Sequence, residues 1–408
     1  MDSGSVAWML TASALVLFMT PGLAFFYGGL ARSRNVVNTI MLSFMSMAVV
    51  SVVWVLWGYS LAFGEGNALI GDLSKIGLKD IGIDVLWPDT EIPELLFVVF
   101  QMMFVIITPA LITGAIVERF KFTTYLVFLV LWVTLVYAPI AHWVWAGEGW
   151  LFNFGDGTLD FAGGTVVHIN AGVAAVAAAL LLRKRRNPGG EPGNVPYVVI
   201  GAAILWFGWF GFNAGSGLAA NGLSVSAFLV TNTAAATAAL TWGVLSLIQN
   251  KGRMSAVGVA TGAVAGLVAI TPASGYVGVM GALAIGVGAG VLCYFAVRLL
   301  PKTGMDDSLG VFAVHGVGGI WGALATGIFA TVAIGGTAGL IDGNPGQMVT
   351  QLVAVGSTMG YSFVATLIIL KVLDLIPGLG LRAPERDEDR GLDIAAHGER
   401  AHVSDGAD

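Results

Sequence analysis

Thr165-Val166-Val167-His168-Ile169-Asn170-Ala171-Gly172 and Phe312-Ala313-Val314-His315-Gly316-Val317-Gly318-Gly319 decide how this chain is read. Each places one histidine inside an apolar run rich in small residues. A helix needs about 20 mainly apolar residues to cross a bilayer. Eleven segments meet that requirement: 6–31, 36–62, 94–117, 123–146, 161–182, 196–214, 223–248, 255–273, 277–299, 309–334 and 347–376. The two histidine segments are the fifth and the tenth. Spans 1–5 and 6–10 therefore form a weak internal repeat, and each half ends in a histidine helix. Five is an odd number, so the halves must insert with opposite topology. Inverted repeats of this kind are typical of transport proteins, whose substrate path lies at the repeat interface. The expected fold is an all-α polytopic membrane protein with a 5+5 inverted repeat and an eleventh helix outside it. Alternating β-barrel patterning is absent.

Composition agrees. Of 408 residues only 11% are charged and 56% are hydrophobic, and mean hydropathy is +0.84. A soluble domain carries about 25% charged residues. A soluble enzyme and a disordered chain are excluded. The net charge of −6 lacks the basic footprint of a nucleic-acid binder. The single cysteine, Cys293, excludes a disulfide framework and a cysteine-based metal cluster.

Basic residues set the orientation. Arg32 and Arg34, Arg119 and Lys121, Arg183 to Arg186, Lys251 and Arg253, Arg298 and Lys302, and four tail arginines share one side, sixteen of the nineteen Lys and Arg. The positive-inside rule puts the N-terminus outside and the C-terminus in the cytoplasm. The first span has Asp2 and no basic segment before it, so it reads as a retained span rather than a cleaved signal. Residues 1–376 are expected to form the transmembrane domain and 377–408 a cytoplasmic tail. Prolines 21, 109 and 139 are expected to kink spans one, three and four. Gly258, Gly262 and Gly266, and Gly278, Gly286 and Gly290, are spaced for close helix approach. That spacing fits a tightly packed bundle, either around a narrow path or with none.

Ionisable residues inside a membrane are costly and by default face an interior path. Here they are few: Asp160 at the start of the fifth span, His168 about two turns deeper, His315 in the tenth, and His142 at the outer end of the fourth. Two neutral histidines across a repeat axis can share a proton, one ring nitrogen donating and the other accepting. The competing reading is two separate histidines bonded to backbone carbonyls. Asp160 stands where it can cap free N–H groups of its helix, which favours a structural and indirectly electrostatic role over direct ligation. Phe100 and Phe104 are four apart and share one helix face. With Trp143, Trp145, Trp209, Phe210 and Phe212 they crowd the outer ends of spans, as membrane-belt aromatics or as a cation–π box, and Ser216 adds a hydroxyl. No metalloprotease, nucleophile-elbow, P-loop or dinucleotide motif occurs. No carboxylate or thiol stands at ligand spacing from the histidines, so no enzyme activity, metal or cofactor is expected.

These segments resemble the ammonium transporter family, relatives of the Rhesus glycoproteins. The resemblance is carried by Asp160-Phe-Ala-Gly-Gly-Thr-Val-Val-His168, Gly208-Trp-Phe-Gly-Phe-Asn-Ala-Gly-Ser216, Val314-His315-Gly316-Val317, Phe26-Tyr27-Gly28-Gly29, Gly58-Tyr59-Ser60-Leu61-Ala62-Phe63-Gly64 and Pro139-Ile140-Ala141-His142. The tail matches too, from Gly380-Leu381-Arg382 to His397-Gly398-Glu399. The resemblance runs nearly end to end. It implies a homotrimer in the cell inner (cytoplasmic) membrane, with one pore per subunit. It assigns Phe100, Trp145 and Ser216 to an external ammonium-recruitment site, with Trp143 a nearby competitor for Trp145. It makes Phe104 and Phe212 the stacked rings that block the pore, His168 and His315 the twin pore histidines, and Asp160 the carboxylate near the entrance. His142 matches without a transport role. Many members carry Asp five residues before the second histidine, where this chain has Gly310, and Ala313 replaces a common glycine. The tail resembles a docking region for PII-type nitrogen signalling proteins, and the competing reading is a brace between subunits.

The implied function is ammonium uptake. Ammonium resembles potassium in size and charge, but it can lose a proton. Desolvation favours that loss, and a bare cation costs far more in an apolar pore than ammonia does. The alternative is an ammonium sensor that barely transports and signals through its tail.

Overall fold

The computed structural model describes residues 1–402. Among them, ten helices are long and apolar enough to cross a membrane. In chain order the helices are α1 (Ser3–Leu30), α2 (Ser33–Phe63), α3 (Glu94–Ile116), α4 (Phe122–Trp145), α5 (Gly164–Leu182), α6 (Val195–Gly215), α7 (Gly222–Gln249), the shorter apolar α8 (Ala256–Ile270), α9 (Val279–Thr303), α10 (Phe312–Phe329) and α11 (Gly346–Leu375). All eleven expected segments are helical. The eighth has only 15 residues, and Pro272, which has no backbone N–H to donate to the helix ladder, follows it.

The repeat is visible in how its halves touch. A methyl group placed on Gly22 of α1 would meet Leu205 of α6, one on Gly29 would meet Val198, one on Gly201 would meet Phe26, and one on Gly211 would meet Ala12. As one number rises its partner falls, so α1 and α6 run antiparallel. They are corresponding helices of the two halves, and opposite topology requires this arrangement. The histidine helices cross reciprocally. Gly172, four residues after His168, lies against the backbone of Gly316. Gly319, four residues after His315, lies against the backbone of Ile169. A side chain at Gly172 would drive the helices apart, and one at Gly319 would leave no slack against Ile169.

The other glycine stripes serve helix contact. Gly258 and Gly262 of α8 accommodate Trp242 of α7, and Gly266 packs on Ala234 and Ala238. Gly286 and Gly290 of α9 approach α7 from another side, at Ala234, Thr237 and Thr241. Gly278 takes no part, since it precedes α9 and borders open space. α1 and α3 continue through Pro21 and Pro109. In α4 a π-helical turn, Val133–Tyr137, precedes Pro139. Wider turns of the same kind lie at Gly164–Ile169 and Phe312–Gly316 and carry the two histidines. Such turns are frequent at functional sites.

The tail folds back over the loops at its own face of the bundle. The Ala383 N–H donates to the Arg119 carbonyl at 2.8 Å and the Lys121 N–H to the Leu381 carbonyl at 2.9 Å. The Leu392 N–H donates to Asn35 Oδ1, and the Asn38 N–H to Asp393 Oδ1, both at 2.8 Å. The last six residues of the expected tail, 403–408, lie outside the described residues.

Candidate functional site

α3 builds the first wall. Phe97, Phe100, Gln101 and Phe104 recur at the i, i+3, i+4, i+7 spacing of one helix face. Where this stripe meets Trp145 at the end of α4 and Ser216 just after α6, a cavity of about 150 Å³ opens at the N-terminal face. Phe100, Trp145 and Ser216 all line it, together with Gln101, Phe104 and Phe161. The Trp145 indole N–H donates to the Asp160 carbonyl at 2.9 Å, and its ring stands perpendicular to Phe104 at 6.0 Å. Trp143 is elsewhere. Its indole N–H donates to the Leu69 carbonyl at 2.7 Å, and its ring packs on Tyr361. His142 is also remote, its ring nitrogens 3.0 Å from the Ala62 carbonyl and 2.6 Å from that of Asn67. It pins the loop after α2.

Below the cavity the rings stack. Phe104 and Phe212 lie 4.2 Å apart at 31°, and both are buried. The Ser216 hydroxyl donates to the Phe212 carbonyl at 2.8 Å, so cavity and stack share one turn. Phe212 in turn faces His168 at 6.0 Å and 27°. Trp209 flanks His168 at 5.4 Å, held by an indole N–H donated to Thr271 Oγ1 at 2.8 Å. His168 Nδ1 and His315 Nδ1 are 3.2 Å apart. Two imidazoles meeting nitrogen to nitrogen require a proton on one and a lone pair on the other. Neither Nδ1 is spent on a backbone carbonyl, so the reading as two separate structural histidines does not fit. His168 Nε2 is buried with no protein partner.

Asp160 is held by backbone alone. Oδ1 accepts from the N–H of Gly163 at 2.9 Å and Gly164 at 2.6 Å. Oδ2 accepts from Thr165 at 2.9 Å and Val166 at 3.1 Å. Gly163 makes this possible with a left-handed φ of +110°. The carboxylate therefore caps the turn that carries His168, the structural role favoured from the sequence.

A second aspartate does the same in the other half, and sequence reading missed it. Asp307 Oδ1 accepts from Val311 N–H at 2.9 Å, and Oδ2 accepts from Phe312 N–H at 2.7 Å. Asp160 stands eight residues before His168, and Asp307 stands eight before His315. That repeated spacing was the available signal. Asp307, Gly310 and Ala313 line a depression of about 390 Å³ on the tail face. Gly310 adopts φ +76°, a left-handed conformation that glycine takes without strain.

Burial pushes the Asp307 carboxyl up to about 6, against its two backbone bonds and Arg119, which pull it down. A carboxylic acid with a raised folded pKa binds its proton more tightly in the folded state. Its contribution therefore favours folding below the unfolded value near 3.9 and is lost as pH rises through about 6. The thermal midpoint of the parent in detergent, minus that of Asp307→Asn, is expected to fall between pH 5 and pH 7.5. A flat difference would contradict this placement.

Beside Asp307 lies a buried ion network. Glu118 accepts from Arg32 and, at 3.1 Å, from Arg185, which also pairs with Asp306 at 3.0 Å. Arg119 donates to Ser308 Oγ at 2.5 Å and to the Asp306 carbonyl at 2.7 Å. The loops after α1, α3, α5 and α9 are thereby tied together beneath the tail.

The model of the Ammonium Transporter Family matches residues 7–402. An ammonium transporter of Bacillus subtilis (strain 168) is 47% identical over 98% of this chain and 99% of its own length. Ammonium transporter Amt1 of Archaeoglobus fulgidus is 46% identical over 99% of this chain and 100% of its own. Among solved structures, Saccharomyces cerevisiae Mep2 is similar with a TM-score of 0.89 and 38% identity, covering 94% of this chain and 90% of that one. A chain described as "Sensor Amt Protein" is similar with a TM-score of 0.88 and 31% identity, covering 97% and 98%. This multi-pass membrane protein belongs to the ammonium transporter family.

Proposed function

We propose that this chain takes up ammonium across the cytoplasmic membrane by separating the ion into ammonia and a proton. Its N-terminus lies outside and its tail inside. Ammonium is recruited in the cavity of Phe100, Trp145 and Ser216, where ring faces attract a cation at about 0.5–2 kcal/mol each. It deprotonates at the Phe104/Phe212 gate. Ammonia then passes His168 and His315, and the proton moves along the imidazole pair, which makes transport electrogenic. Potassium has no proton to lose and is rejected at the gate.

One observation carries the reading. The histidine pair, joined nitrogen to nitrogen at 3.2 Å, sits beneath a ring stack that continues into an aromatic cavity. Apolar walls and a proton-sharing pair together fit a solute that is neutral in transit and charged at its source. The test is solid-supported-membrane current in proteoliposomes given an ammonium jump. The parent is expected to show it, and its absence together with absent ammonia flux would defeat the reading. Trp145→Leu is expected to raise the half-saturating ammonium concentration about tenfold, one lost cation–π contact of about 1.4 kcal/mol. Trp143→Leu should leave it within twofold. The reverse ranking would reassign the site.

The family assembly belongs to this reading: a homotrimer among membrane lipids, each subunit with its own path, and the tail offered to a PII-type protein. Likeness to a chain described as a sensor favours a second reading, signalling with little flux. Turnover in the same proteoliposomes separates the two.

A further inference from the structure

Gln101 lies within the aromatic stripe of α3, one residue from Phe100 and three from Phe104. It lines the cavity at the N-terminal face and is only 9% exposed. Its carboxamide oxygen, Oε1, is buried without a hydrogen-bond partner in the protein. An unpaired buried acceptor is costly, and each such group in a native structure calls for an explanation. The rest of the cavity supplies one. Phe100, Phe104 and Phe161 present ring faces or edges. The Trp145 indole N–H is a donor and is already spent on the Asp160 carbonyl. Ser216 gives its own proton to the Phe212 carbonyl and keeps only lone pairs. A tetrahedral cation with four N–H donors needs directional acceptors as well as π faces. The side chains offering one here are Ser216 and Gln101.

We infer that Gln101 Oε1 is a direct hydrogen-bond acceptor for the recruited ammonium ion, a specificity-determining residue beside the cation–π rings. The inference rests on reading this cavity as the recruitment site. Its chemistry is that of a carbonyl oxygen facing a small N–H cation. The amide is neutral, so it binds by direction rather than by charge. A carboxylate there would hold any monovalent cation.

The test compares ammonium-jump currents of the parent, Gln101→Leu, Gln101→Glu, Ser216→Ala and Phe100→Leu over a concentration series, with and without potassium chloride. Gln101→Leu is expected to raise the half-saturating concentration about tenfold, the loss of one hydrogen bond to a charged group. Its maximal current should stay within twofold of the parent, a split that a merely structural glutamine would not give. Gln101→Glu is expected to lower the half-saturating concentration and to make potassium a competitor. It also decides the matter if the leucine variant fails to fold. An unchanged half-saturation in Gln101→Leu, or a loss confined to maximal current, overturns the inference when Ser216→Ala or Phe100→Leu still shifts. Glutamate without potassium competition overturns it too. If no cavity variant shifts half-saturation, the recruitment reading itself falls.

Discussion

Asp160→Ala is expected to abolish ammonium-driven current and to lower the thermal midpoint of the purified protein. The carboxylate holds four buried backbone N–H groups, of Gly163, Gly164, Thr165 and Val166. Alanine removes every acceptor at once. Each buried donor left unpaired costs roughly 1–3 kcal/mol. The turn that presents His168 then loses its anchor. Asp160→Asn keeps one carbonyl oxygen and so about half the bonds, and it should fall between the parent and alanine in both measurements. Glutamate cannot hold the same short cap and should behave like alanine. Full current with an unchanged midpoint in Asp160→Ala would show that the cap neither stabilises the turn nor positions the histidine.

The second large effect concerns the pair itself. His168→Ala/His315→Ala is expected to cut ammonium-driven current roughly a hundredfold or more, the low end of what a positioned proton-transfer group contributes. Both rings leave together, so neither imidazole is stranded in the apolar pore without its partner. The Phe104/Phe212 pair above keeps both its rings, although Phe212 loses its neighbour His168, and Trp209 stays fixed to Thr271. Neutral ammonia can still cross, so flux followed by internal alkalinisation should persist while current fails. That dissociation distinguishes a lost proton path from a collapsed pore. Current equal to the parent would place the proton on another route.

Much of the architecture was legible because the bilayer imposes it. Long apolar runs must be helical to satisfy their backbone, and one histidine at the end of each half exposed the repeat. Ends were less legible. The run starting at 161 becomes helical only at Gly164, since Gly163 turns left-handed to let Asp160 reach the next N–H groups. The run at 255–273 stops at Ile270 ahead of Pro272. π-Helical turns leave no mark, because one extra residue in a turn does not change apolar composition. Within the site, the histidine pair was expected from type and spacing, whereas the pairing of Phe104 with Phe212 came only from the family resemblance. Choosing between Trp143 and Trp145 needed their indole partners, the Leu69 carbonyl against that of Asp160. Asp307 was hidden beside Asp306, where two adjacent acids read as a solvated loop. Gln101 was hidden by its neighbours, a single amide in a stripe that reads as packing.

On the proposed path the solute sheds its charge before entering the pore. The decisive measurement is peak current from the parent in proteoliposomes, given equal jumps of ammonium chloride and potassium chloride at matched ionic strength. A saturable ammonium current is expected, and none above the empty-liposome background with potassium. Potassium currents of similar size would mean that an intact cation crosses, and would contradict it.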